Sequence, residues 1–138
     1  MNTKNFSNYI LVVALAGALF SGWLTFNKLV LGNCPLREAC AYLFDLPTCV
    51  YGFVIFGTIL LLAILLKTSA KKNPDHLLWI NRVALIGIIF SGYYSFIELM
   101  YPACPLPPCV YALGLPSCVY GLVMYAAVWV LSTKLMKK

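Results

Sequence analysis

The sequence predicts an all-α membrane protein, a bundle of four transmembrane helices built from two tandem helical hairpins. Of the 138 residues, 62% are hydrophobic and only 10% are charged, whereas soluble domains carry about 25% charged residues. The apolar residues form long runs, and the second half of the chain repeats the first. The length is that of one domain, which we expect to be transmembrane over residues 1–138.

Each apolar run is close to the ~20 residues that cross a ~30 Å hydrocarbon layer as a helix. We expect the spans to cross the lipid bilayer at about Tyr9–Leu31, Thr48–Leu66, Leu77–Tyr101 and Ser117–Leu135. Short connections between such spans favour an antiparallel bundle. The first run is longer than the apolar core of a signal peptide and recurs later in the chain, so we expect it to be retained.

The chain contains an internal duplication. The motif Phe-Ser-Gly begins at Phe20 and occurs again at Phe90. The longer motif Leu-Pro-Thr/Ser-Cys-Val-Tyr-Gly begins at Leu46 and occurs again at Leu115. Because order and spacing both persist, the two hairpins should share one topology, related by an approximate two-fold axis along the membrane normal. The copies cover about 9–67 and about 77–135.

The basic residues predict an orientation. Eight of the ten Lys and Arg residues lie at one end of the predicted bundle, and the positive-inside rule places that end, with both termini, in the cytoplasm. The cysteine loops, 32–47 and 102–116, are then extracytoplasmic. Because the basic residues do not form a stripe, the net charge of +6 does not indicate nucleic-acid binding. The eight residues are Lys4, Lys67, Lys71, Lys72, Arg82, Lys134, Lys137 and Lys138.

Three polar residues lie near the ends of the predicted spans. Lys28 in the first copy corresponds to Glu98 in the second. The two opposite charges could pair near the outer interface; alternatively, Lys28 snorkels to the headgroups and Glu98 lies in the wet interface. Asn81, beside Arg82, is expected at the wet inner end of the third span.

All six cysteines lie in or beside the outward loops, three in each copy. The outer side of a cytoplasmic membrane permits disulfides, but the sequence cannot choose among the possible pairings. One interpretation is that disulfides only staple two Pro-rich loops. The cysteines are Cys34, Cys40, Cys49, Cys104, Cys109 and Cys118.

Cys49 and Cys118 differ from the others because each opens an apolar helix. Thr48 and Ser117 are natural N-caps, which leaves each cysteine in the first helical turn. The helix dipole and the open amide N–H groups there stabilise a thiolate. This setting suits redox chemistry or metal ligation.

The segment Ala84–Leu99, followed by Cys104-Pro105 and Cys109, resembles the helix of the vitamin K epoxide reductase family that ends in a redox Cys-x-x-Cys. Cys34 and Cys40 form a Cys-x5-Cys motif, and this spacing resembles that of the first outward loop of the same family. The bundle with outward cysteine loops also resembles the disulfide-bond-forming DsbB proteins. The Cys-x-x-Cys is stretched here to Cys-Pro-Leu-Pro-Pro-Cys, and four intervening residues alter sulfur geometry and reduction potential.

The resemblance implies a redox relay. Cys34 and Cys40 would exchange disulfides with a thioredoxin-like partner outside the cytoplasm, and Cys104 and Cys109 would pass electrons to a quinone. Aromatic residues near the outer end are candidates for the quinone site, with Glu98 beside them, although an interfacial belt of Trp and Tyr is the usual alternative. These aromatic residues are Trp23, Tyr51, Tyr93, Tyr94 and Tyr120.

Three functions are therefore expected, in this order. The first is a membrane thiol–disulfide oxidoreductase with the six cysteines as candidate catalytic residues. The second is a non-catalytic, disulfide-stapled bundle that presents its outer loops to a partner. The third is a thiol site for a soft metal ion such as copper, zinc or mercury.

Overall fold

The computed structural model describes residues 3–31, 42–68, 74–101 and 117–137. These residues form four helices, all long and apolar enough to cross a bilayer, which confirms the predicted fold class. The helices are α1 (Thr3–Val30), α2 (Thr48–Thr68), α3 (Pro74–Met100) and α4 (Ser117–Met136).

All four helices end within two residues of the predicted span ends, and the starts agree best for α2 and α4. Both of these helices begin at the expected residue, directly after a proline. Helix α1 begins at Thr3 and not near Tyr9, because the polar residues ahead of the apolar run are compatible with a helix. A short antiparallel hairpin, β1 (Tyr42–Leu43) and β2 (Leu46–Pro47), precedes α2 and was not predicted.

The four helices form a closed ring. Helix α1 packs chiefly on α2 and α3 chiefly on α4, while α2 packs less extensively on α3 and α1 on α4. Helices α2 and α4 therefore face each other diagonally, as do α1 and α3. We call the end at which α2 and α4 begin the cysteine end, and the opposite end the terminal end.

Two glycines at equivalent positions each leave room for an aromatic ring from the other helix of the same hairpin. A Cβ atom at Gly87 would lie 2.6 Å from the ring of Tyr125, and one at Gly17 would overlap the ring of Phe56. Small residues of this kind let membrane helices approach closely. The same contact thus occurs once in each half of the chain.

The two aromatic rings meet in the middle of the bundle. Phe56 of α2 and Tyr125 of α4, which are equivalent residues of the duplication, stack with ring centroids 4.1 Å apart and ring planes 10° apart. Both side chains are buried. Their contact joins the two hairpins across the predicted two-fold axis.

The core between this stack and the terminal end is small and apolar. It repeats in pairs, since Ile10 and Ala14 of α1 correspond to Ile80 and Ala84 of α3, and all four are fully buried. Helices α2 and α4 complete it with Ile59, Ala63 and Val128.

One polar contact breaks the repeat near the terminal end. The side-chain amide of Asn81 donates to the hydroxyl oxygens of Ser132 and Thr133 of α4, at 2.9 Å in each case. Ser132 is fully buried. Asn81 lies toward the terminal end of α3, where the third span was expected to begin, and its half-buried amide makes a contact with α4 that the sequence alone could not place.

The glycine contacts predict a large difference between two kinds of Gly→Ala substitution. Gly87→Ala should lower the free energy of unfolding by about 1–3 kcal/mol, because the methyl group displaces the stacked Tyr125 ring. Gly57→Ala is the control, since a Cβ atom there meets nothing within 4 Å, and it should be neutral or stabilising. Equal effects in an SDS unfolding titration would contradict the packing described above.

The Asn81 contact predicts a smaller loss of stability. Asn81→Leu should lower the free energy of unfolding by roughly 1 kcal/mol, the usual size of a hydrogen bond between membrane helices. The control is Thr58→Val, because the exposed Thr58 hydroxyl bonds only to Val54 of its own helix. The same titration should show almost no change for the control.

Candidate functional site

Of the six cysteines predicted to be site residues, two lie among the residues that the structure describes. Cys49 and Cys118 are half-buried thiols in the first turns of α2 and α4, as expected. They occupy equivalent positions of the duplication. The remaining four lie outside the described residues, so the predicted shuttle and quinone-side pairs stay predictions; they are Cys34, Cys40, Cys104 and Cys109.

The start of α2 is held by the hairpin before it. The hydroxyl of Tyr51 donates to the carbonyl oxygen of Leu43 at 3.0 Å, which ties strand β1 to the second turn of the helix. Thr48 and Pro47 are buried at the junction. These contacts fix the direction in which the first turn, with Cys49, leaves the loop.

The hairpin has a tight turn of unusual composition. Phe44 and Asp45 have φ angles of 50° and 62°, the left-handed conformation that a two-residue type I′ turn requires at both positions. Asp tolerates this conformation, but a bulky Phe does so only at a cost. Phe44 is 87% exposed, so the turn presents an aromatic ring at the cysteine end.

The two cysteines lie on the helix faces that meet at the bundle centre. Residues seven positions apart share one face of a helix, so Cys49 shares a face with Phe56, and Cys118 with Tyr125. Because the two rings stack in the middle of the bundle, the thiols belong to the inward faces, two turns closer to the cysteine end. The stack forms the floor below them.

Gly52 of α2 lies between Cys49 and the floor. A Cβ atom at Gly52, one turn from Cys49, meets nothing within 4 Å. The hydroxyl of Tyr125 reaches across from α4 and donates to the carbonyl oxygen of Gly52 at 3.2 Å. The floor thus consists of the stacked rings of Phe56 and Tyr125, and one hydrogen bond between the diagonal helices α2 and α4 holds it in place.

Tyr94 of α3 brings a further hydroxyl to this region. Its ring packs on Phe90, which in turn packs on Tyr51 of α2. Tyr94 is only 8% exposed. We call Cys49, Cys118, Tyr51 and Tyr94 the thiol site.

The wall around the thiol site has aromatic contacts that repeat between the halves. Tyr51 packs on Phe90 of α3 with ring centroids 5.9 Å apart, and Tyr120 packs on Phe20 of α1 at 6.5 Å. Each contact joins one hairpin to the other. The outer half of the bundle is therefore held together by rings, two of which carry hydroxyl groups at their tips.

Buried hydroxyl groups also line α1 and α3 in the outer half of the bundle. Ser21 and Ser91, at equivalent positions, donate to the carbonyl oxygens of Gly17 and Gly87 at 2.7 Å. Ser95 is buried, and its hydroxyl oxygen has no hydrogen-bond partner among the described residues. The buried residues of α1 and α3 above the stack thus include three serines, and the Ser95 hydroxyl is costly to bury without a partner.

The predicted quinone-site residues fall into two groups. Tyr94 is buried, and Glu98 is half-buried like its counterpart Lys28. Trp23 and Tyr93 are at least half exposed on the outer faces of α1 and α3, the arrangement that an interfacial belt requires. The structure thus buries Tyr94 inside the bundle and leaves Trp23 and Tyr93 on its outside.

The described residues contain no group of three His, Cys, Asp or Glu side chains that could hold a metal ion. A soft-metal site would therefore need cysteines from the two loops outside the described ranges. Comparisons of the chain with protein-family models, curated proteins and solved structures find no match. The function is thus argued from the thiol site itself.

The bond between Tyr51 and Leu43 predicts how the hairpin responds to a single substitution. Tyr51→Phe should raise the amide exchange rate of residues 42–47 several-fold, because the loss of roughly 1 kcal/mol of hydrogen bonding lets the hairpin open more often. Hydrogen exchange read by mass spectrometry measures this. Tyr120→Phe, at the equivalent position, is the control and should leave exchange in 42–47 unchanged.

Proposed function

We propose that this chain is a membrane thiol–disulfide oxidoreductase that acts at the cysteine end of the bundle. The observation that carries the proposal is the pair of half-buried thiols, Cys49 and Cys118, in the first turns of two diagonal helices. Both face an interior with buried hydroxyl groups and a floor of stacked rings. A structural cysteine needs neither a helix N-terminus nor polar neighbours.

The first turn of a helix suits a cysteine that attacks a disulfide. The thiolate is the reactive form of the thiol, and the open amide N–H groups of a helix N-terminus stabilise it. The same position occurs twice, in equivalent surroundings produced by the duplication. Partial burial limits access to substrates that reach the cysteine end.

The reaction is an exchange of disulfide bonds. A cysteine thiolate attacks one sulfur of a substrate disulfide; the S–S bond breaks, a mixed disulfide forms, and the other substrate sulfur leaves as a thiolate that takes up a proton. A second cysteine of the same end then attacks the mixed disulfide and releases the second substrate thiol. The protein dithiol is thereby oxidised by two electrons, and the substrate disulfide is reduced to two thiols.

The reverse direction forms disulfides in a substrate and needs an electron acceptor. A quinone dissolved in the bilayer is the acceptor we propose: it takes two electrons and two protons from a cysteine pair and becomes a quinol. The resemblance to the vitamin K epoxide reductase family and to DsbB proteins supports this coupling. The substrate in that case is a thioredoxin-like protein whose dithiol is oxidised.

The orientation is part of the proposal. Eight of the ten Lys and Arg residues belong to the terminal end or its connections, and only Lys28 and Arg37 to the cysteine end. The positive-inside rule then places both termini in the cytoplasm and the thiol site on the opposite side. That side is the compartment in which disulfides form and persist.

One experiment distinguishes the proposed oxidoreductase from a non-catalytic bundle that is only stapled by disulfides. The purified full chain is alkylated before and after mild reduction with dithiothreitol, and the blocked cysteines are mapped by mass spectrometry. The proposal expects at least one cysteine pair that includes Cys49 or Cys118 to open with dithiothreitol and to close again with oxidised glutathione. Six sulfurs that stay blocked in dithiothreitol would support the staple and contradict the exchange reaction.

The double variant Cys49→Ser, Cys118→Ser makes the test specific for the thiol site. It keeps the four loop cysteines and should lose the cycling. If it cycles as fast as the natural chain, the loop cysteines carry the reaction, and the thiol site is not the place of exchange. A bound metal in the purified chain, released by thiol alkylation, would instead favour the soft-metal alternative.

A further inference from the structure

The turn of the hairpin at 42–47 places a bulky apolar residue in a conformation that such residues rarely adopt. Phe44 and Asp45 have φ angles of 50° and 62°, whereas turns of this type favour Asn, Asp or Gly. For a side chain as bulky as that of Phe, a positive φ is costly. Packing within the chain offsets little of this cost, since Phe44 is 87% exposed. A strained residue that persists is a reason to look for a role, and the exposed ring indicates a contact outside the chain.

Both strands of the hairpin are held near the start of α2. The Tyr51 hydroxyl donates to the carbonyl oxygen of Leu43 at 3.0 Å. Because consecutive Cα atoms are ~3.8 Å apart, Phe44 directly follows a residue that is fastened to the helix. On the other side of the turn, Pro47 and Thr48 are buried where the helix begins. The hairpin therefore presents the Phe44 ring at a fixed place beside the helix start.

The start of α2 lies at the edge of the hydrocarbon layer. The helix has 21 residues, Thr48–Thr68, which span about 31 Å at about 1.5 Å per residue. The hydrocarbon layer is ~30 Å thick, and the polar headgroups add about 5–8 Å on each side of it. Because strand β1 is fastened beside the helix start, we expect Phe44 to lie in this interfacial layer.

The surface at this level of the bundle is apolar beyond the hairpin as well. Leu31 and Tyr101, which directly follow α1 and α3, are exposed, and so is Leu46 beside the turn. The exposed Asp45 is the only charged residue of the hairpin. An apolar ring with one acidic residue next to it suits a membrane interface, where apolar side chains reach the acyl chains and polar groups stay among the headgroups.

The second copy of the duplication also has a large apolar residue at this position. Phe44 lies four residues before Thr48, and Leu113 lies four residues before the equivalent Ser117. Leu113 is outside the described residues, so the correspondence is one of sequence. Both outer loops therefore carry a large apolar side chain shortly before the next helix begins.

We propose that the hairpin at 42–47 is a lipid anchor, in which the Phe44 ring inserts into the interfacial layer of the leaflet at the cysteine end. The contact with lipid removes the ring from water and offsets the cost of the turn. It also fixes the depth at which α2 begins, with Cys49 in its first turn. The inference rests on the four apolar helices and does not depend on the proposed redox reaction.

The first test measures the depth of the ring in lipid nanodiscs. Phe44→Trp is made in the full chain after its three exposed natural tryptophans, Trp23, Trp79 and Trp129, have been replaced by Phe. Lipids brominated near the headgroup should quench the introduced tryptophan about twofold more than lipids brominated near the bilayer centre, because the interfacial layer lies ~15 Å from that centre. Aqueous iodide should have little effect. Leu61→Trp, at an exposed position near the middle of α2, is the control and should show the reverse order for the two lipids.

The second test uses a substitution for which a lipid anchor and a ring in water give opposite results. Asn adopts a positive φ more readily than Phe, so Phe44→Asn would stabilise the turn of a water-exposed hairpin and slow amide exchange in residues 42–47. If lipid holds the ring, the loss of that contact outweighs the gain, and exchange in nanodiscs should rise several-fold. The matched control is Phe44→Tyr, which keeps a ring suited to the interface and should leave exchange within about twofold of the natural chain.

Any of three results would overturn the anchor. Quenching by iodide without quenching by brominated lipid would place the ring in water. Slower exchange in Phe44→Asn would show that no external contact holds the turn. An introduced tryptophan that neither quencher reaches would place the ring against protein, such as a second copy of the chain. Quenching by the lipids brominated near the headgroup, together with faster exchange in Phe44→Asn, supports the anchor.

Discussion

The contact between Phe56 and Tyr125 is the constraint on which the arrangement of the bundle depends. In lipid the hydrophobic effect does not drive helices together, so close packing has to do so. The two stacked rings lie 4.1 Å apart, and each ring can reach the centre only because a glycine, Gly17 or Gly87, faces it. Below the stack lies a core of Ile, Ala and Val with one polar contact, from Asn81 to Ser132 and Thr133. Above it lie buried serines and the two thiols. One pair of rings thus joins the hairpins and separates the terminal half of the bundle from the half that contains the thiol site.

The duplication gives the thiol site two equivalent cysteines, and the two copies differ in the residues around them. Equivalent positions give two thiols at two helix starts, but a symmetric site has no reason to favour one of them. Tyr94 and Tyr125 replace Leu24 and Phe56 of the first copy, so both extra hydroxyl groups belong to the second hairpin. One fastens the floor to Gly52, and the other packs on Phe90 in the wall of the thiol site.

The sequence predicted the fold well because apolar runs of span length and a repeated motif leave few alternatives. The starts of α2 and α4 were predictable from Pro followed by Thr or Ser. Side-chain direction was not, because helices that are apolar on all sides carry little amphipathic signal; hence Tyr94 and Tyr93 could not be told apart. The contact of Asn81 with α4 could not be predicted, because the sequence does not show which helix supplies acceptors at that level of the bundle. The hairpin at 42–47 was missed because its turn uses Phe44 and not the expected Gly or Asn.

The most direct measurement of the central claim is catalytic turnover by the full chain in lipid vesicles that contain a quinone. A reduced thioredoxin-like protein is added on the side of the cysteine end, and its disulfide is counted over time. The account predicts several substrate disulfides formed per chain, with the quinone reduced in equal amount and with no turnover in the double variant Cys49→Ser, Cys118→Ser. A rate equal to that of vesicles without the chain would contradict the account.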